Sequence, residues 1–252
     1  MKYLQERLAA PGIVQLVMSQ PGKKNAMNAA MREALTERIE ALATDPGVAA
    51  LILSGAEGEF SAGGDLQGLM QVDRTEFRQY LKRGHNLVLK LCSFEKPAVA
   101  AIEGVGVGGG LALAMCCDHI VMGRSARIGF SFLKIGFIPD WGTLFTVSRR
   151  VGASRARGLF LTGELLDSAR ALEIGLVDQV VEDDQVQSAA LKVAQVLAHQ
   201  PKRAFAYTKQ FLQHMPNTLE QTLEFEAIAQ ENCFKSEDFF KGIAPFLTKE
   251  SK

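Results

Sequence analysis

The chain has 252 residues, 47% of them hydrophobic and 22% charged, the balance of an ordinary globular protein in water. Its 28 basic and 28 acidic residues cancel, which argues against a nucleic-acid-binding surface as its main business. The four cysteines, Cys92, Cys116, Cys117 and Cys233, have no metal-ligand spacing and read as reduced, buried thiols of a cytoplasmic protein that needs no metal.

In chain order, residues 1–7 lack the apolar core of a signal peptide. Residues 13–18 read as a strand stopped by Pro21-Gly22. Residues 28–42 have helical apolar spacing at Met31, Leu35, Ile39 and Leu42, with Asn28 as the expected cap and Asp45-Pro46-Gly47 as the breaker. Residues 48–53 form a continuous apolar run of strand length, suited to a sheet covered on both faces. A helix over 75–92, a strand over 98–102, a short buried helix over 110–116 and a strand over 120–122 follow. This alternation predicts an α/β fold. Beyond Gly163 the pattern turns helical, with helices expected over 168–172, 185–198, 202–214 and 219–234. Two regions result: a core over 1–190 and a helical C-terminal region over 191–252 suited to oligomerisation. The apolar run at 111–117 is far too short to span a bilayer, so no membrane contact is expected. The last residues, Glu250-Ser251-Lys252, do not read as a peroxisomal address.

Two glycine-rich stretches carry the chemistry. Phe60-Ser61-Ala62-Gly63-Gly64-Asp65-Leu66 and Gly104-Val105-Gly106-Val107-Gly108-Gly109-Gly110 each place small residues between a strand and a helix. Small residues there let backbone N–H groups approach a ligand, and two such loops can aim two donors at one oxygen. Gly104, Gly106 and Gly109 formally satisfy G-x-G-x-x-G. A dinucleotide fold also wants an acid about twenty positions on, and residues 120–139 contain no Asp or Glu. The alternatives for the second stretch are a tight packing turn and an anion-binding helix start.

The ordered set Ser61-Ala62-Gly63-Gly64-Asp65, Gly108-Gly109-Gly110-Leu111-Ala112-Leu113-Ala114, Cys117-Asp118, Gly136-Phe137-Ile138-Pro139-Asp140 and Leu161-Thr162-Gly163-Glu164 resembles the crotonase (enoyl-CoA hydratase/isomerase) superfamily. The likeness covers nearly the whole chain. It implies a spiral of ββα turns followed by a helical trimerisation region, commonly a dimer of trimers. It implies an acyl-CoA thioester as substrate, with coenzyme A part of the substrate and no separate cofactor. By resemblance the Gly64 and Gly109 amides hold the thioester oxygen. Lys24 (or Lys23), Ala26, Ala62, Asp65, Leu66, Phe132 and Trp141 fall in the segments expected to touch substrate.

The chain departs from the hydratases of this superfamily at their two glutamates, where Ala112 and Phe132 stand. Neither can carry a proton. Some superfamily isomerases, dienoyl-CoA and 1,2-epoxyphenylacetyl-CoA isomerases among them, resemble this chain in having an aspartate where Asp140 lies; the dienoyl enzymes also have acids where Ala112 and Phe132 stand, so the single-acid isomerases are the better match. The resemblance therefore implies an isomerase in which Asp140 shuttles a proton, since one carboxylate can remove a proton from one carbon and return it to another. Asp140 can equally be an N-cap for a helix over 141–150, and Asp65 a cap for one beginning near Leu66. A hydratase or lyase using Glu103 or Glu164, and a non-catalytic acyl-CoA binder, are the rival readings. His85, His119, His199 and His214 show no pairing with a nucleophile.

Overall fold

The computed structural model describes residues 2–214 and 218–247; the terminal residues 250–252 discussed above lie outside them. Nine strands are described: β1 (Leu4–Ala10), β2 (Ile13–Met18), β3 (Ala50–Gly55), β4 (Ala98–Ile102), β5 (Val105–Val107), β6 (His119–Gly123), β7 (Arg127–Gly129), β8 (Leu165–Asp167) and β9 (Gln179–Val181). The α-helices are α1 (Ala29–Thr44), α2 (Leu66–Leu69), α3 (Phe77–Cys92), α4 (Gly108–Ala114), α5 (Thr143–Val151), α6 (Ala153–Thr162), α7 (Ser168–Glu173), α8 (Val186–Ala198), α9 (Lys202–His214), α10 (Leu219–Phe234) and α11 (Glu237–Leu247).

The main sheet runs β1-β2-β3-β4-β6-β9 and a smaller one β5-β7-β8. Only β1 is antiparallel to its neighbour in the main sheet, through a tight turn to β2; the other pairs are parallel. Successive turns of chain add one strand to the main sheet and one short extended segment beside the small one. The bridge Ser61↔Gly106 extends that second layer, and Met27↔Gly64 forms alongside. This is the expected spiral.

The continuous apolar runs in β3 and β4 have two-sided burial as their cause. Leu51, Leu53, Ala98, Ala100 and Ile102 face the large core beneath α1, α3 and α4. Ile52, Val99 and Ala101 point to the opposite face, where Val186, Ala190 and Ala194 of α8 cover them. α1 forms as predicted, with Asn28 Oδ1 accepting from Met31 N at 2.8 Å.

Helix α9 is tied to the core by an ion pair between a buried lysine and a partly buried aspartate. Lys209 Nζ donates to Asp118 Oδ2 at 2.8 Å and to Lys96 O at 3.2 Å. The same Asp118 oxygen accepts from Ala98 N at the start of β4. Burial pushes the Asp118 pKa up, and Lys209 only partly offsets that.

Strands β1, β5, β7, β8 and β9 were not foreseen. In β1 only Leu4 is buried, and β8 and β9 have three residues each, so their partners rather than their own patterns define them.

Candidate active site

Two extended segments meet where β3 and β4 end. Ser61 N donates to Val105 O at 2.9 Å, and Val107 N donates to Ser61 O at 3.0 Å. Further on, Met27 N donates to Gly63 O at 2.6 Å, and Asp65 N donates to Met27 O at 3.1 Å. In such a parallel bridge the residue between the two bonded neighbours turns its own N–H the other way. Gly64 N–H therefore points away from Met27 and has no acceptor among the described residues. Gly109 lies in the first turn of α4, where N–H groups have no intrahelical acceptor, and it too has none among the described residues. Both glycines line one cavity of about 170 Å³, together with Asp140.

Small residues make this approach possible. Gly63 has φ +89°, and a Cβ there would sit 2.9 Å from Val107 O. A Cβ on Gly110 would sit 2.4 Å from the Ser61 Cβ. Ser61 is fully buried; its Oγ donates to Asn25 O at 2.8 Å and accepts from Gly63 N at 3.2 Å. The hydroxyl thus joins the first loop to the residues before α1, while the Ser61 backbone joins the same loop to the second.

Asp140 is held from two sides. His85 of α3 lies 2.9 Å from its Oδ1 through Nε2, and the Trp141 backbone N–H donates to the same oxygen. An ionised carboxylate only accepts, so His85 Nε2 carries the hydrogen in this pairing. Oδ2 has no hydrogen-bond partner among the described residues. Trp141 has φ +56° and Gly142 +75°, so the helix begins only at Thr143 with Gly142 as its N-cap. The cap reading for the Asp140 side chain is thereby corrected. Only its carbonyl serves the helix start, accepting from Thr143 N and Thr143 Oγ1. The Trp141 ring is 8% exposed and lies between two glycines: a Cβ on Gly84 of α3 would be 3.0 Å from it, and one on Gly109 would be 3.3 Å from it.

The second carboxylate in the cavity, Asp65, is occupied. Lys23 Nζ lies 3.2 Å from both its oxygens and Gln20 Nε2 3.5 Å from one. Burial raises its pKa, but these bonds outweigh burial and hold the carboxyl below the ordinary range. Asp65 stands at the N-cap of α2, as expected, but its side chain makes no cap hydrogen bond. Lys24 pairs with Glu59 at 2.7 Å, and Glu59 also accepts from Val105 N at 2.7 Å. Glu59 thereby braces the entry to the second loop.

Of the residues expected to touch substrate, Ala62, Asp65, Leu66, Phe132 and Trp141 line the cavity with Gly64, Gly109 and Asp140. Lys24 and Ala26 do not. Ala112 is fully buried. Glu103 lines a different cavity, bonded to Gln187, and Glu164 does not line the site. Sequence reasoning missed His85. It stands 55 positions from its partner, and only the packing of α3 against the 140–142 turn brings the two together.

Two unspent backbone donors and one half-held carboxylate in a single cavity can stabilise an oxygen that gains charge while a proton moves nearby. The family model for enoyl-CoA hydratase/isomerase matches residues 9–252, and the chain belongs to that family, with the crotonase fold. It is 34% identical over 246 residues to 1,2-epoxyphenylacetyl-CoA isomerase of Escherichia coli, covering 95% of this chain and 94% of that one. It is 30% identical over 239 residues to the short-chain-enoyl-CoA hydratase of Clostridium acetobutylicum, covering 94% and 92%. A crystal structure of an enoyl-CoA hydratase from Bacillus anthracis superposes with a TM-score of 0.93 at 25% identity, covering 98% of this chain and 96% of that one.

Proposed function

We propose that this enzyme moves a carbon–carbon double bond along an acyl-CoA thioester. The observation that carries the reading is the state of the two carboxylates in the cavity. Asp65 is spent on Lys23 and Gln20, while Asp140 keeps one oxygen unbonded. With a 3-enoyl thioester, Asp140 Oδ2 removes a proton from C2. The electron pair enters the thioester, and the negative oxygen is held by the Gly64 and Gly109 N–H groups. The protonated Asp140 then delivers the same proton to C4, leaving a 2-enoyl thioester. His85 keeps the carboxylate turned toward the cavity throughout. Water activation by two acids has no second free carboxylate here, because Ala112 and Phe132 occupy the other expected positions. Mass spectrometry after incubation with 3-enoyl-CoA tests the reading. A product of unchanged mass and shifted double bond is expected, and a product heavier by one water as the main species would overturn it.

The oxyanion role has its own test. Gly64 has open space where a side chain would start. Gly64→Pro removes the N–H itself and is expected to lower turnover by roughly 10²–10³. Circular dichroism establishes that the variant is folded, and full turnover in the folded variant would remove Gly64 from the assignment.

We further propose a trimer or dimer of trimers built through residues 191–252. Ile228, Phe234, Phe240 and Phe246 are each more than half exposed in the single chain, whereas Phe225 is used internally against Tyr207 and Phe211. An apolar face of this kind is normally covered. Light scattering at micromolar concentration is expected to give a multiple of the 27.4 kDa chain mass, and a monomer would contradict the proposal.

A further inference from the structure

Helix α1 carries a cation on its buried side. Arg32 is 4% exposed, next to the apolar stripe of Met31, Leu35, Ile39 and Leu42. Its guanidinium carbon lies 3.9 Å from the centre of the Tyr80 ring, so one face of the group is satisfied by stacking. Its edge is not. Nε is buried with no hydrogen-bond acceptor, and no carboxylate forms an ion pair with Arg32 among the described residues. Removing a charge from water without pairing it is costly, and burial accordingly lowers the Arg32 pKa.

The location gives this cation a use. Arg32 and Tyr80 line the same cavity as Gly64, Gly109 and Asp140. Arg32 also lines an adjoining cavity of about 540 Å³ between α1 and α3, where Lys82 and Arg83 stand with Glu33 and Glu37. Arg32 is therefore a shared wall between the candidate site and a second, roomier space. An arginine edge offers parallel N–H donors that match a carboxylate in two-point contact.

We propose that Arg32 receives a carboxylate at the far end of the acyl group, so that the preferred substrates are thioesters of dicarboxylic acids. The inference rests on the acyl-CoA reading above and adds the substrate class. The acyl chain enters past the two amides, its double bond lies beside Asp140, and its terminal carboxylate pairs with Arg32 over Tyr80. A phosphate of coenzyme A could supply the same anionic chemistry, and the experiment separates the two sources.

Saturated thioesters permit a binding measurement without turnover. Calorimetry compares glutaryl-, adipyl- and suberyl-CoA with the neutral acyl-CoA of equal chain length and with the terminal amide of each diacid. At least one diacid thioester is expected to bind on the order of 10-fold or more tighter than both neutral counterparts, as charge-assisted hydrogen bonds provide. Arg32→Met is expected to erase that preference while leaving the affinity for neutral acyl-CoA near its wild-type value. Equal binding of charged and neutral thioesters by the wild-type enzyme overturns the inference and leaves the acyl-CoA reading standing; this arm needs no variant. A uniform loss for every thioester in a folded Arg32→Met assigns the residue to coenzyme A and also overturns it. No binding of any acyl-CoA by the wild type overturns both readings.

Discussion

Asp140→Asn is expected to lower isomerase turnover by roughly 10²–10⁴, the range for losing a positioned acid or base. The asparagine oxygen can still accept from His85 Nε2 and from the Trp141 N–H, so the turn at 140–142 keeps its bonds and the melting temperature should stay close to wild type. On the proposed mechanism, what is lost is the ability to hold a proton between C2 and C4. Asp140→Ala should lose the same activity and, in addition, about 1 kcal/mol for each hydrogen bond removed from this partly exposed site. Acyl-CoA affinity should survive both changes, because the oxyanion donors are backbone amides on other segments. Steady-state kinetics with a 3-enoyl-CoA, combined with thermal melts of the three proteins, read all of this. Undiminished turnover in the folded Asn variant would remove Asp140 from the mechanism.

The largest effect on stability is expected from Lys209→Ala. This substitution leaves the partly buried Asp118 without its cation, a change that costs up to about 3–5 kcal/mol where burial is complete. Urea unfolding at pH 7 measures the loss. The sign of the pH dependence follows from Asp118. Its folded-state pKa is already raised by burial, and removing Lys209 raises it further. A carboxyl with a raised folded pKa favours the folded state below its unfolded pKa, and that contribution disappears as pH rises through the folded value. The deficit of the variant relative to wild type should therefore shrink as pH falls from 7 toward the carboxylate range. A second substitution, Asp118→Asn, should recover part of the loss at pH 7. A deficit that does not change with pH would show that Lys209 acts through packing of its stem rather than through charge.

Much of the fold was legible because burial on two faces imposes a distinctive pattern. The strand over 98–102 and the helices over 202–214 and 219–234 were expected with the bounds they have. The two glycine loops were legible because few residue types allow backbones so close. Asp140 was legible as a position but not as a conformation. A Pro-Asp-Trp-Gly segment reads as a helix start, and only the left-handed angles at Trp141 and Gly142 delay the helix and free the carboxylate for His85. His85 and Arg32 escaped for a common reason: each takes its meaning from a partner on another element. An arginine beside an apolar stripe reads as solvated until Tyr80 and the core are folded around it.

The seating of Trp141 has a bearing on how accurately the reaction centre is built. One aromatic plate touches the first turn of α4, where the proposed oxyanion donor Gly109 lies, and also touches the helix that supplies His85. The acid precedes that plate by a single peptide bond. The proposed donor, acid and acid-holder thus all lie on, or one residue from, a segment that packs against the same indole. The tolerance of the catalytic geometry is set by how closely two bare backbones can press on an indole. Gly84, which touches neither thioester nor proton, is on this view a part of the measuring device.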